Sequence, residues 1–315
     1  MSIAFTFPGQ GSQGVGMGKE LADRFPEARA VFEEVDAALV QRLSDVMWNG
    51  PADELTLTAN AQPALMAVSL ATIRVAEARG LDLAGSVAFV AGHSLGEYSA
   101  LAAAGALSIG DAARLLRTRG TAMQQAVPVG EGAMAALLGL DFETAEKVAA
   151  EAAGDEVCQA ANDNAPGQVV VSGHKGAVER AIAIAQEHGA RRAVLLPVSA
   201  PFHCSLMAPA ADVMAEALAA VELKAPVVPL VANVLAGPVT DPDEIRKLLV
   251  QQVTGTVRWR ESVGFMAAEG VDTAFEIGTG KVLTGMVKRI ARGVTGIAVN
   301  TPEDVDLLMD RLANP

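Results

Sequence analysis

Cysteine is nearly absent. Two occur among 315 residues, Cys158 and Cys204, far apart and in no C-x-x-C arrangement. A disulfide framework and a cysteine-built zinc site are therefore not expected, and a reducing cytosol suits the chain. Positive charge is also in deficit. The 24 Lys and Arg face 37 Asp and Glu, for a net charge of −13. That balance argues against nucleic-acid binding, and any anionic ligand must be met by a local cluster of basic side chains. No apolar run approaches the ~20 residues of a membrane span. The segment Met1–Gln10 lacks a basic stretch followed by a long apolar one, so no signal peptide is expected there. Aromatic residues are only 4% of the chain. Ala and Gly are plentiful instead, which suits helices packed closely on a sheet. With 51% hydrophobic and 19% charged residues, the chain can bury one large core or two modest ones.

The most informative stretch is Gly92-His93-Ser94-Leu95-Gly96, a G-x-S-x-G pattern. Val87–Ala91 before it reads as a buried strand, and Glu97–Ala104 after it reads as a helix. A serine on so tight a strand-to-helix turn is pushed out of the sheet, with its hydroxyl at a helix start. The glycines are needed because Cβ atoms would clash across the turn. Backbone N–H groups at the helix start can stabilise a developing oxyanion.

Elsewhere Ile3–Phe7 reads as a strand, followed by a glycine-rich loop from Gly9 to Gly18. Helical patterns cover 19–44, 61–79 and 111–126. Then come a strand at 132–140, a helix at 142–153, strands at 157–162 and 168–173, a helix at 175–188 and a strand at 191–198. That βαββαβ order is the ferredoxin-like unit. More α/β chain follows: helices near 206–221, 242–252 and 258–269, and strands at 227–231 and 273–277. The expected architecture is α/β. A large subdomain of residues 1–127 and 199–315 carries the elbow, with a ferredoxin-like subdomain, 128–198, inserted.

A serine nucleophile needs a base, and four histidines are available. His93, on the elbow itself, reads as local structure. His188 stands at a helix end, where imidazole meets the helix dipole. His174 sits in a turn of the inserted unit. His203, in a strand-to-helix turn, is left as the candidate base. No acid offers itself to orient it: Asp212 and Glu216 lie on an ordinary amphipathic helix, and a backbone carbonyl could serve instead. On a helical projection of 111–126, Arg119 falls within the apolar stripe of Ala112, Leu115, Leu116 and Met123, whereas Arg114 and Arg117 face the other way. A buried guanidinium there is either half of an internal salt bridge or a fork for a substrate carboxylate.

Two phosphate-binding patterns fail on context. Gly9-Gln-Gly11-Ser-Gln-Gly14 follows a strand, but no second strand ending in an acidic residue comes about 20 residues later. An oxyanion loop is a better use of those residues. Gly278-Thr-Gly-Lys281 lacks the first glycine and the final Ser/Thr of a Walker loop, since Phe275 and Val282 stand there.

Taken together, Phe7-Pro-Gly-Gln-Gly-Ser-Gln13, Gly92-His-Ser-Leu-Gly-Glu97, Arg119-Gly120, Asn164-Ala-Pro-Gly-Gln168, Pro201-Phe-His203 and Gly280-Lys-Val-Leu283 resemble the bacterial malonyl-CoA:acyl-carrier-protein transacylases over nearly the whole chain. The resemblance implies an α/β-hydrolase-like large subdomain with a ferredoxin-like insertion. It implies transfer of malonyl from coenzyme A to the phosphopantetheine thiol of acyl carrier protein, for fatty-acid synthesis, without metal or cofactor. By position it makes Ser94 the nucleophile and His203 its base and acid. The N–H groups of Gln10 and Leu95 become the oxyanion hole, Arg119 the malonyl carboxylate holder, and Gln252 the residue whose carbonyl orients the histidine. Two departures stand out. Thr279 replaces the family's usual proline. Phe202 replaces a common serine, and in related polyketide acyltransferases a Phe there accompanies malonyl rather than methylmalonyl. The expected partners are malonyl-CoA and an acidic carrier protein, for which Arg191-Arg192 and Lys288-Arg289 are the candidate docking cations. No nucleic acid or membrane is expected, and the protein is expected to be a cytoplasmic monomer.

Overall fold

The computed structural model describes residues 2–314. The chain opens with β1 (Ile3–Phe7), then α1 (Lys19–Arg24), α2 (Pro26–Leu39), α3 (Leu43–Asn49), α4 (Ala52–Thr56) and α5 (Thr58–Ala78). A short α6 (Leu83–Ser86) leads into β2 (Phe89–Gly92), α7 (Gly96–Ala103) and α8 (Ile109–Gln125). Next come β3 (Gly132–Leu138), α9 (Phe142–Ala153), β4 (Cys158–Ala165), β5 (Gln168–His174), α10 (Lys175–Glu187) and β6 (Arg192–Leu195). A 3-10 turn at Ser205–Met207 runs into α11 (Ala208–Ala219), β7 (Leu230–Ala232), β8 (Gly237–Val239), α12 (Pro242–Thr254) and α13 (Trp259–Ala268). The chain ends with β9 (Thr273–Ile277), α14 (Val282–Ile290), β10 (Thr295–Val299) and α15 (Pro302–Ala313).

The larger sheet is ordered β10-β9-β1-β2-β7-β8, parallel except for β8. Helices cover both faces, which is why β1 and β9 are buried at every residue, the polar Thr6, Thr273 and Glu276 included. Phe5 and Phe275 stack edge to face on one side. Ala4 and Ala91 on the other side leave room for Trp259 and Val263 of α13. β1 sits between β2, its successor in the sheet, and β9, which arrives late in the chain. Such a reversal of strand order opens a crevice at the carboxyl ends of the strands. Both the glycine-rich loop and the elbow leave the sheet there.

The smaller sheet is ordered β4-β5-β3-β6 and is antiparallel throughout. Its chain order βαββαβ and its strand order are those of a ferredoxin-like unit. Strand alternation gives the sheet two jobs. Ala135, Leu137, Val169 and Val171 pack on α9 and α10 as a core of their own. Met134, Ala136 and Val170 point the other way and join the main core.

The helix expected over 19–44 is broken twice. Pro26 holds Phe25 in an extended conformation, ending α1, and takes the first helical position of α2 itself. Val40 then stops α2 in the left-handed region. The strand expected at 191–198 is four residues long, because the chain parts from β3 after a last hydrogen bond from the Leu196 N–H to the Met134 carbonyl. β8, α14, β10 and α15 were not foreseen. Among the described residues no helix is long and apolar enough to cross a membrane.

Candidate active site

Ser94 occupies the turn between β2 and α7 with φ at +53°. The two glycines flanking it have no alternative. A Cβ on Gly92 would lie 1.9 Å from the carbonyl of Gly96, and one on Gly96 would lie 2.3 Å from the carbonyl oxygen of Phe7. The left-handed conformation costs a non-glycine residue about 1–3 kcal/mol, so the surroundings must hold it. Asn233, fully buried just after β7, does so. Its Oδ1 accepts from the Ser94 N–H at 2.8 Å, and its Nδ2 donates to the Gly92 carbonyl at 2.6 Å. Sequence reading missed this residue.

The Ser94 hydroxyl lies 2.7 Å from His203 Nε2, and His203 Nδ1 lies 2.9 Å from the main-chain oxygen of Gln252. A carbonyl can only accept, so Nδ1 carries the proton and Nε2 is free to accept from the serine. Burial, aided by the charge of Arg119, pushes the His203 imidazole down to about 3, which keeps it neutral at working pH, with Nε2 unprotonated and facing the serine. His203 is also left-handed, at φ +58°. Among the described residues no carboxylate takes part in orienting it.

Arg119 is buried on α8, as the helical projection requires. Its Nη2 donates to Ser94 Oγ at 3.0 Å and to the side-chain oxygen of Gln252 at 2.8 Å. Its Nη1 donates to Gln62 Oε1 at 2.8 Å. These partners are neutral. Among the described residues no carboxylate pairs with it, so the internal salt-bridge reading is set aside. Gln62, on α5, had no part in the sequence reading. The only hint was an amide in an otherwise apolar helical stretch. Arg117 departs from expectation too: it is half-buried, and its Nε and Nη2 find no partner.

Glu97 stands behind these groups, completely buried in the first turn of α7. Its Oε2 accepts from the Asn233 N–H and from Gln252 Nε2, both at 3.0 Å, while Oε1 has no partner. Burial raises its carboxyl from 4.5 to about 7, against the opposing pull of those hydrogen bonds and of Arg119.

A cleft of about 500 Å³ opens over Ser94, lined by the glycine-rich loop, by Met134 and Val170 of the smaller sheet, by Phe202, and by Met286 of α14. Gln10 and Leu95 line it as well, and neither backbone N–H donates to any described residue. His93 also reaches the cleft, but its Nε2 bonds to Asn164 Oδ1 at 2.8 Å, tying the elbow to β4. His174 Nδ1 accepts from the Val157 N–H at 2.9 Å, and His188 caps α10 beside Glu151. Thr279 buries its hydroxyl without a partner.

The basic doublets, remote in sequence, approach one another through the turns at Gly139 and Gly167. The Arg191 side chain closes on Gly139, Gly139 lies against Gly167, and Arg289 donates to Pro166 O at 3.0 Å and to Gln168 Oε1 at 2.5 Å. Arg289 is thus partly engaged, whereas the exposed Lys288 side chain bonds to none of the described residues.

Residues 4–301 match the acyl transferase domain family. The chain belongs to that family. This acyl transferase domain is 48% identical over 311 residues to the malonyl CoA-acyl carrier protein transacylase of Bacillus subtilis, covering 98% of this chain and 97% of that protein. It superimposes on the acyl-carrier-protein S-malonyltransferase of Bartonella henselae with a TM-score of 0.98 at 59% identity, covering 99% of this chain and all of that one. A malonyl-transacylase solved in complex with a type II polyketide acyl-carrier protein superimposes with a TM-score of 0.95 at 42% identity over 99% of this chain and 100% of that one.

Proposed function

We propose that the protein moves malonyl from malonyl-CoA to the phosphopantetheine thiol of acyl carrier protein through a malonyl-serine, supplying fatty-acid synthesis. One observation carries this reading. A buried guanidinium with only neutral partners reaches the same hydroxyl that a neutral histidine contacts. A substrate with a thioester at one end and a carboxylate at the other fits both.

Ser94 attacks the thioester carbonyl as His203 accepts its proton, and the N–H groups of Gln10 and Leu95 receive the oxyanion. The Gln252 carbonyl holds the imidazole in the right tautomer and supports its transient charge. His203 then protonates the departing coenzyme A thiolate. The carrier-protein thiol reverses these steps. One thioester replaces another, so the equilibrium is near neutral and water must be kept from the acyl-serine. Arg119 binds the malonyl carboxylate, and Phe202 fills space a 2-methyl group would need.

In this reading residues 128–198 are an inserted subdomain that walls the cleft, and 1–127 with 199–315 form the catalytic subdomain. Arg191, Arg192, Lys288 and Arg289 receive the acidic carrier protein. The protein acts as a cytoplasmic monomer.

The test is intact-mass analysis after mixing with malonyl-CoA, with Ser94→Ala alongside. A malonyl adduct on the wild type alone is the expected result. Free malonate without an adduct would make the protein a hydrolase, and the absence of both adduct and malonate would refute the catalytic reading.

A further inference from the structure

Glu97 is the one buried carboxylate near the reacting groups that the chemistry above does not use. It is acceptor-only when ionised, and it faces a side chain that has two unlike ends. The amide nitrogen of Gln252 points at Glu97 Oε2 at 3.0 Å and at the Ser94 carbonyl at 2.9 Å, which leaves the amide oxygen to face Arg119 at 2.8 Å. Turned the other way, the amide would aim N–H groups at a guanidinium, which cannot accept a hydrogen bond. Its oxygen would then face the acceptors Glu97 and Ser94 O.

We propose that Glu97 is a positioning residue for substrate selection: it sets the Gln252 amide, and through it holds the Arg119 guanidinium in the orientation that receives the substrate carboxylate. This rests on the reading of Arg119 as the carboxylate's partner. Glu97 touches no reacting atom. Among the described residues Arg119 donates, besides Ser94, only to Gln62 and Gln252, with the Tyr98 ring centroid 5.7 Å away, so loosening one of those bonds lets the fork swing.

A purely structural role makes a different forecast. Glu97 also supports the elbow through the Asn233 N–H. Loss of that support would misplace Ser94 and slow every acyl group alike.

The experiment compares malonyl-CoA and acetyl-CoA as donors to acyl carrier protein, using Glu97→Gln, Arg119→Ala and the double variant, with thermal melting curves recorded for each. Glu97→Gln keeps the shape but presents an N–H that can meet either end of the Gln252 amide. The expected result is a loss of about tenfold in kcat/KM for malonyl. The loss should lie mainly in KM, with acetyl transfer within about twofold of wild type. Added to Arg119→Ala, the same change should cost malonyl transfer nothing more. Glu97→Asp keeps the charge but withdraws the oxygen by one methylene, and should show the same selective loss if the Gln variant unfolds. Equal losses for both acyl groups, or additive losses in the double variant, would overturn the proposal. Arg119→Ala alone isolates the underlying reading. If it leaves the malonyl-to-acetyl ratio unchanged, the carboxylate assignment fails and the proposal falls with it.

Discussion

Replacing Asn233 by Ala tests how the nucleophile is held. The amide makes two hydrogen bonds inside the elbow, to the Ser94 N–H and the Gly92 carbonyl, and the residue is fully buried. Alanine leaves both main-chain groups without a partner and out of reach of water. Each orphaned buried group costs about 1–3 kcal/mol, so the variant should lose about 2–6 kcal/mol. Unfolding entropy of about 2.1 cal/mol/K per residue gives roughly 0.7 kcal/mol/K for this chain, so the melting temperature should fall by about 3–9 °C. Activity should fall further than stability suggests. Ser94 is held at φ +53° against its own preference, and without the amide it can relax toward a right-handed turn. A displacement of about 1 Å from the attack geometry is worth roughly 100-fold in rate. Melting curves and single-turnover acylation by malonyl-CoA read the two effects separately. A variant that melts within about 1 °C of wild type and acylates at full rate would refute this account.

Gly92→Ala and Gly96→Ala should each abolish soluble, active protein, since the new Cβ would lie within 2.3 Å of main-chain atoms; Gly14→Ala, which meets nothing within 4 Å, should not. Soluble expression and acylation decide it. Because the imidazole of His203 is held down to about 3, the kcat/KM profile should show no acid limb near the ordinary histidine value of 6.5. The linkage adds a stability arm to the same experiment. The folded state of Glu97 binds its proton more tightly than the unfolded state, so its contribution is full below 4.5 and is lost as pH rises through about 7. Wild type should therefore lose more stability than Glu97→Gln between about pH 5 and pH 8. Charge reversal at Lys288 and Arg289 should raise the KM for carrier protein and flatten its salt dependence, with malonyl-CoA acylation unchanged; an unaltered carrier-protein KM removes the patch from the docking surface.

The parts of the fold that were legible are those whose constraint is local. The elbow announces itself because two glycines two residues from a serine answer to clashes within the same turn. β1 is a short, largely apolar run, and α8 and α9 show their faces by periodicity. The end of the chain was illegible for the opposite reason. α14 starts where the carboxylate of Glu276, on β9, accepts from the N–H groups of Leu283 and Thr284, so its capping residue stands well outside the helix. β10 is a strand because β9 offers an edge, and its partly exposed residues carry no strong alternation. The site shows the same division. A helical projection places Arg119 inward but says nothing of what it meets, since Gln62 is 57 positions away and Gln252 is 133. Asn233 follows an ordinary strand and gives no signal at all. Glu97 opens the helical run after the elbow and had no role in the sequence reading; only the structure shows it to be a carboxylate in a helix buried on every side.

The neutrality of Arg119's partners has an energetic consequence that can be exploited. An internal carboxylate would satisfy the buried guanidinium better than an amide oxygen, because charge-assisted hydrogen bonds are roughly twice as strong as neutral ones. The protein instead uses Gln62, which anchors Nη1 at 2.8 Å without cancelling its charge. Gln62→Glu changes the side chain by a single heavy atom and places a carboxylate at that distance. The variant should melt at or above the wild-type temperature, because a buried cation gains a buried anion in a geometry already formed. Malonyl transfer should nevertheless collapse: the internal carboxylate competes for the fork and repels the incoming one. A loss of about 2–5 kcal/mol is the scale of removing a buried charge partner, equivalent to roughly 30- to 4,000-fold in kcat/KM. Acetyl transfer, which presents no carboxylate, should be spared. Melting curves and the paired donor kinetics provide the check. If Gln62→Glu accepts malonyl as readily as wild type, the substrate carboxylate does not reach Arg119, and the guanidinium must be assigned to the Ser94 hydroxyl alone.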